Sequence, residues 1–295
     1  MAFIKKIPPR RLCLSGGGIK AVSYVGAFEA LEEHGFLKQV KEICGVSAGS
    51  LIGLSYCLGY TLNELRIFCR DFDFSLIRHL EMEDILEFTE KFGFDSGERL
   101  LLLLKSVMKQ KGFNPLATFA DVFSSTSKTR LRVYATDMNT CTIREFSLQK
   151  TPTVPIVEAV RASMSLPFYF IPFPDPITGH LLSDGGLINN YPMEFLNKKE
   201  QEESLGFVFS IDHIRRETID DLFIYLNQMH GCMYLGKKNT SKNTIVLPEG
   251  HFPSWNFEAT AEERVHLMEQ GKKTTLHWLR SSEIKEKIPR RFSVS

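Results

Sequence analysis

Apolar positions along this chain follow two rhythms: short apolar runs bounded by glycine alternate with longer stretches at helical spacing. Leu12–Ser15 reads as a first strand. Ile19–His34 follows as a helix, with Ala21, Val25 and Phe28 on one face; Gly35 stops it and Phe36 supplies the apolar contact after the stop. Val40–Cys44 predicts a second strand and Ala48–Leu58 an apolar helix of small residues closing at Gly59. Residues 61–111 predict mainly helix, in TLNELRIFCRDF, MEDILEFTEKF and GERLLLLLKSVMKQKGF. Arg130–Thr136 and Thr142–Phe146 alternate like two strands around Asp137–Asn139, and Pro155–Ala162 reads as helix. Leu181–Ser183 and Gly206–Ile211 are short strands, and helices near Asp220–Tyr234 and at Ala261–Leu279 finish the chain. Strands alternating with helices predict an α/β fold, with a mainly parallel sheet covered on both faces.

Composition narrows the partners. The 295 residues are 43% hydrophobic, enough for a large core, and carry a net charge of only +1. No whole-chain field draws nucleic acid, so a nucleic-acid partner is not expected. Cys13, Cys44, Cys57, Cys69, Cys141 and Cys232 show no paired spacing, and four lie in apolar segments. They read as reduced thiols of an intracellular protein. The residues before the first strand lack the apolar core of a signal peptide, and no run of 18 apolar residues exists. A cytoplasmic protein is expected. No clustered carboxylates or Cys/His spacing offers a metal site, and neither metal nor cofactor is expected.

The chemistry begins at Gly45-Val46-Ser47-Ala48-Gly49, a G-x-S-x-G pattern between a predicted strand and a predicted helix. That context suits a serine nucleophile on a sharp strand-to-helix turn. Gly45 and Gly49 remove side chains that would clash beside it. A second signal is Gly16-Gly17-Gly18-Ile19-Lys20-Ala21, directly after the first strand. Bare N–H groups opening a helix suit negative charge. They fit an oxyanion hole or a tight structural turn. They also fit a dinucleotide fingerprint through Gly16, Gly18 and Ala21, for which Glu42 stands at roughly the right distance for the ribose acid.

A proton acceptor for Ser47 is the next requirement. His79, His180, His213, His230, His251, His266 and His277 follow Ser47, and none stands in a recognisable catalytic loop. Asp184, just past a short strand and followed by Gly185 and Gly186, is the better candidate. Acidic groups at the carboxyl ends of strands face the crevice of such a sheet. An ordinary Asp-Gly turn is the plain alternative.

Taken together, these stretches resemble the patatin-like phospholipase family. The resemblance rests on Gly16-Gly17-Gly18, Gly45-Val46-Ser47-Ala48-Gly49 and Asp184-Gly185-Gly186 in that order. It also rests on EAVRASMSLPFYFIPF and on Asn190-Tyr191-Pro192. It spans about residues 12–192 and implies a three-layer α/β/α fold, a Ser47–Asp184 dyad without histidine, and hydrolysis of lipid acyl esters. Gly16, Gly17, Gly18 and Ala48 become the expected oxyanion donors, and Gly45, Gly49, Lys20, Gly185 and Gly186 the supporting motif residues. The chain departs from the family in Lys20 and Ala21, where Arg and Gly are usual. The expected organisation is a basic arm over 1–11, a patatin-like catalytic domain over 12–200, and a C-terminal part over 201–295 packed on the same domain.

Apolar walls would keep water from such a site. Phe168, Tyr169, Phe170 and Phe173, on a segment that prolines keep extended, are candidates for an acyl channel. HFPSWNF at 251–257 is a weaker candidate. Substrates of the implied class are membrane lipids or acylglycerols, reached by peripheral membrane contact. The basic ends, KKIPPRR at 5–11 and EKIPRRF at 286–292, read as solvated tails or as arms for anionic head groups. Ser125-Thr126-Ser127-Lys128 matches an S-x-x-K motif but lacks its companion K-T-G. A histidine-dependent α/β-hydrolase-type esterase and a non-catalytic lipid-binding relative stay open as alternatives.

Overall fold

The computed structural model describes residues 7–79, 86–125, 129–210, 243–248 and 257–284, with 218–219, 225, 228–229 and 232 besides. The expected helix near Asp220–Tyr234 and His213, His230 and His251 lie outside the described residues or are only touched by them.

The strands are β1 Arg11–Leu14, β2 Glu42–Val46, β3 Gly93–Asp95, β4 Arg130–Asp137, β5 Thr142–Ser147, β6 Phe168–Phe170, β7 Phe173–Pro174, β8 Leu181–Asp184, β9 Ser204–Phe209 and β10 Thr244–Leu247. The helices are α1 Ser23–Glu33, α2 Ala48–Cys57, α3 Leu62–Asp71, α4 Phe88–Lys91, α5 Glu98–Gln110, α6 Phe119–Ser125, α7 Ile156–Ser163, α8 Lys198–Glu202 and α9 Ala261–Ile284.

The main sheet runs β10-β9-β1-β2-β4-β8-β7, with β5 also on β4. From β10 to β4 all neighbours are parallel; β5, β7 and β8 are antiparallel. Side chains alternate across it, as pleating requires. Leu12, Leu14, Ile43, Leu131, Val133 and Phe207 join the large core under the helices, while Cys13, Cys44, Tyr134 and Val208 pack with Tyr191, Met193 and Leu196. The architecture is three-layer α/β/α, with a mostly parallel central sheet. β9 and β10, beyond residue 200, extend the same sheet, and α9 lies along α1. Glycines set that last approach: a Cβ on Gly26 would sit 1.8 Å from the Met268 carbonyl oxygen.

Three local readings are corrected. Gly18 has φ +54° and opens a 3-10 turn over Gly18–Val22, so α1 begins at Ser23 rather than Ile19. Val40 is consumed in closing the turn Phe36–Gln39, its N–H bonded to the Leu37 carbonyl, so β2 starts at Glu42 and runs to Val46. Within the helical stretch 61–111 lies β3, which pairs in parallel with β6 as a separate two-stranded sheet.

The direction of β8 matters most for the site. β5 takes one edge of β4 over Arg132–Asp137, opposite β2, which pairs up to Val46↔Tyr134. β8 pairs Ala135–Asp137 and therefore occupies the edge that β2 has vacated, starting one rung on at Asp184↔Ala135. β2 and β8 thus share one lane and meet head-on, carboxyl end to carboxyl end. Asp184 was expected at the tip of a strand in a parallel sheet; it arrives instead on an antiparallel strand descending toward Ser47.

Candidate active site

Ser47 is the one residue between β2 and α2, at φ 52° and ψ −130°. A non-glycine residue in that region stores roughly 1–3 kcal/mol, tolerated where the surroundings fix it. They do so here. The Ser47 N–H donates to Ser163 Oγ at 2.8 Å, and the Ser163 hydroxyl donates to the Tyr134 carbonyl at 2.6 Å. The Ser50 hydroxyl donates to the Ser47 carbonyl at 2.5 Å. A Cβ on Gly49 would lie 2.6 Å from the Leu14 carbonyl oxygen, so only glycine lets α2 start against β1.

Asp184 is held as firmly. Its N–H donates to the Ser165 carbonyl at 2.8 Å, and its carbonyl accepts from the Thr136 hydroxyl at 2.9 Å. Oδ1 accepts from the Gly186 N–H at 2.8 Å. Oδ2 is buried and makes no hydrogen bond of ordinary geometry. Burial pushes the carboxyl up to about 6, while the Ser47 hydroxyl beside it and the Gly186 N–H pull it back. Hydroxyl and carboxyl are therefore apposed without a well-formed bond, a common condition of such pairs before substrate arrives.

The glycine loop lines the same pocket, with Ala48. One expected donor is corrected: the Gly16 N–H is already bonded to Asn190 Oδ1 at 2.9 Å, so it is spoken for. Gly17 and Gly18, at the mouth of the 3-10 turn, and Ala48, first residue of α2, remain the candidate donors. Lys20 is buried, with Nζ 5.7 Å from the centre of the Phe209 ring, and does not line the pocket.

The walls are Ile77, Leu100, Met164, Leu166, Phe170 and Phe257. Of the four aromatics expected along an acyl channel, only Phe170 lines it. Tyr169 is buried against two of the lining residues, its ring 4.7 Å from that of Phe170 and 5.8 Å from that of Phe257; Phe173 lies under the Arg161 guanidinium; Phe168 is 43% exposed. Arg161 is buried and ties this region together, donating to the carbonyls of Ser96, Gly97 and Ile171 and to Ser165 Oγ. Phe257, the last residue of HFPSWNF, and Ser163, in EAVRASMSLPFYFIPF, lie in stretches the sequence marks; Ile77 and Leu100 give no local signal, because distant segments bring them in.

No histidine among the described residues lines the pocket. His180 Nδ1 is 2.8 Å from Asp137 Oδ2 in a half-exposed hairpin. Glu42 stands at the start of β2, the end opposite Ser47, paired with Arg11 and Arg132. A dinucleotide site wants its acid at the crevice end of that strand, so the fingerprint reading of the glycines fails. Of the S-x-x-K stretch, residues 126–128 lie outside the described residues. Among the described residues no group of histidine, cysteine and acidic side chains is arranged to hold a metal ion, and no helix is long and apolar enough to cross a membrane. Four cysteines are buried and free; Cys141 and Cys232 are exposed.

A strained serine at a strand-to-helix elbow, a glycine loop beside it and a buried carboxyl facing it, on a three-layer α/β/α sheet, define a protein of the nucleophile-elbow class. The chain belongs to the patatin-like phospholipase family, whose family model matches residues 12–196. It is 26% identical to "Uncharacterized protein YqhO" of Bacillus subtilis, over 88% of this chain and 94% of that protein. It is 28% identical to "Probable lipid hydrolase 463L" of Invertebrate iridescent virus 6, over 66% and 67% respectively. Among solved structures it resembles VipD from Legionella pneumophila, with a TM-score of 0.63 and 19% identity over 94% of this chain and 68% of that one, a likeness of fold.

Proposed function

We propose that this chain is a lipid acyl hydrolase of phospholipase A or lysophospholipase type, cleaving fatty-acyl esters of membrane lipids or acylglycerols through Ser47 and Asp184. The observation that carries the reading is the head-on meeting of β2 and β8, which sets an elbow serine against a buried carboxyl in an apolar pocket. Family membership supports the ester class.

In this mechanism Ser47 Oγ attacks the ester carbonyl while its proton passes to Asp184. Gly17, Gly18 and Ala48 N–H groups stabilise the oxyanion. The intermediate collapses as Asp184 returns the proton to the leaving alcohol, and water, activated by the same carboxylate, releases the fatty acid. A carboxylate near its ordinary pKa of ~3.9 is a weak base, so raising it toward the working pH strengthens the transfer. No metal or cofactor enters the scheme.

Peripheral membrane contact is supported by an aromatic knuckle beside the pocket. Phe88 stacks on Phe94 at 4.3 Å and on Phe168 at 6.5 Å. Phe92 and Phe168, at the start of the paired strands β3 and β6, are both half exposed and both have positive φ. Phe168 lies two residues before Phe170, which lines the pocket. Clustered exposed apolar rings suit a lipid surface.

The test is to incubate pure protein with mixed lipid vesicles and identify released products by mass spectrometry, beside labelling with a fluorophosphonate probe. Ser47→Ala should abolish both with an unchanged melting curve. Near-native turnover in that variant would assign the nucleophile elsewhere, and a folded wild type with neither labelling nor products would make this a non-catalytic lipid-binding relative.

A further inference from the structure

We propose that Asn190 is a positioning residue that locks the glycine loop in its oxyanion-binding conformation and ties that loop to the turn carrying Asp184. The inference rests on the hydrolase reading and extends it to a residue that touches no reacting atom.

The side-chain amide of Asn190 makes a reciprocal pair with Gly16. Oδ1 accepts from the Gly16 N–H at 2.9 Å, and Nδ2 donates to the Gly16 carbonyl at 2.9 Å. Two peptide groups in succession are thereby fixed. The second is shared with the next residue, because the Gly16 carbonyl and the Gly17 N–H belong to one planar trans unit and point in opposite directions. Holding the carbonyl to Asn190 therefore sets the direction of the Gly17 N–H, a proposed oxyanion donor. The Lys20 N–H holds the Gly17 carbonyl at 3.1 Å from the far side, and the Asn190 pair fixes the near side of a glycine run that has no side chains of its own to choose one conformation.

Packing reinforces the hydrogen bonds. A Cβ on Gly16 would lie 2.5 Å from Asn190 Oδ1, and one on Gly186 would lie 3.0 Å from it. The amide is wedged between the two glycine motifs, filling space that side chains at those positions would take. Gly186 in turn gives its N–H to Asp184 Oδ1. Candidate base and clamp sit six residues apart on one tight segment, where the Asn189 N–H bonds the Gly185 carbonyl and the Asn189 side chain caps the Tyr191 N–H. The amide alone offers a donor and an acceptor side by side in this reach. A carboxylate there would lose the bond to the Gly16 carbonyl and add charge beside Asp184, the only ionisable side chain among the described residues lining the pocket.

The experiment compares wild type, Asn190→Ala and Asn190→Asp on a soluble short-chain ester, p-nitrophenyl butyrate, with active sites counted by fluorophosphonate titration. Asn190→Ala should lower kcat per titrated site by roughly 10²-fold, the scale of losing an oxyanion donor, with KM within a few-fold of native. Asn190→Asp should show a similar loss and an acid limb of the pH profile displaced upward, since a neighbouring like charge disfavours ionising Asp184. Native kcat per titrated site in Asn190→Ala, or a loss wholly explained by fewer titratable sites, would overturn the proposal. Should the wild type hydrolyse no ester, the hydrolase reading fails by itself and amide hydrogen exchange decides the clamp. Faster exchange at Gly17 and Gly18 in Asn190→Ala supports it, and unchanged exchange refutes it.

Discussion

Replacing Asp184 by Asn should make the protein more stable and inactive at once. Burial lifts the carboxyl from 3.8 to about 6, so at pH 7 the native state carries a charge it holds unwillingly. The rise of about two units corresponds to roughly 3 kcal/mol at 1.36 kcal/mol per unit. The sign follows from proton binding. Below about pH 4 the carboxyl is protonated in folded and unfolded chains alike and costs nothing. Between about 4 and 6 the folded chain keeps a proton that the unfolded chain has released, so stability falls as pH rises, and the whole penalty is present above about 7. Asn cannot ionise and is nearly isosteric, so it removes up to about 3 kcal/mol of penalty at pH 7.5 and almost none at pH 4.

The assay is a pair of denaturant titrations across pH 4 to 8, beside pH–rate profiles on a soluble ester. The wild type should show a kcat/KM acid limb with a midpoint near pH 6 and a tenfold fall per unit below it, because only the ionised carboxyl accepts the proton. Asp184→Asn should lose at least ~10²-fold in acylation while gaining stability that vanishes toward pH 4. A variant less stable than wild type at pH 7.5, or a wild-type midpoint below pH 5, would refute the account of a carboxylate strained by burial.

The other expectations concern the rivals and the membrane. Single replacements of His180, His213, His230, His251, His266 or His277 by Ala should cost far less than Asp184→Asn; a histidine variant with a native melting curve and no activity would move the chemistry to a triad. Phe92→Ser and Phe168→Ser, each removing a half-exposed ring, should each weaken sedimentation with phosphatidylcholine vesicles and slow vesicle hydrolysis by roughly tenfold, for about 1.5 kcal/mol of apolar burial apiece, while sparing a soluble short-chain ester. Equal losses on both substrates would show that the knuckle serves packing rather than the lipid surface.

Much of the site was legible because its parts are local. A strand, Gly45-Val46-Ser47-Ala48-Gly49 and an apolar helix announce an elbow within a dozen residues, and Gly16-Gly17-Gly18 and Asp184-Gly185-Gly186 are equally compact. What the sequence hides is non-local or too short to show a period. β8 has four residues, and nothing in them states that they run antiparallel in the lane β2 leaves. β3 has three residues inside a stretch whose composition suggests helix, and β6, in a segment the prolines mark as extended, is as short and gives no sign of its partner. The aromatic run was partly readable: its prolines mark it as extended, but which ring reaches the pocket is set by the turn at Phe168, φ 67°, and by packing against Phe257. The bond between Asn190 and Gly16 spans 174 positions and leaves no local trace.

In the mechanism proposed above, the shared lane is what lets a serine and an aspartate work without an intervening histidine. Between neighbouring strands, tips are separated by about 4.8 Å sideways and their side chains rise in parallel. A short carboxylate on the next strand then faces the hydroxyl poorly, and an imidazole is a natural spacer. Here the partner strand comes from the opposite direction along the same lane, with Asp184 one β4 rung beyond the last residue before Ser47. Ser47 and Asp184 then line one pocket from strands that end against each other. The same closeness excludes water from Oδ2 and raises the carboxyl's pKa. Proximity and basicity therefore have one cause, the strand that ends against another, and the stability lost by burying the charge is the counterpart of the base strength gained.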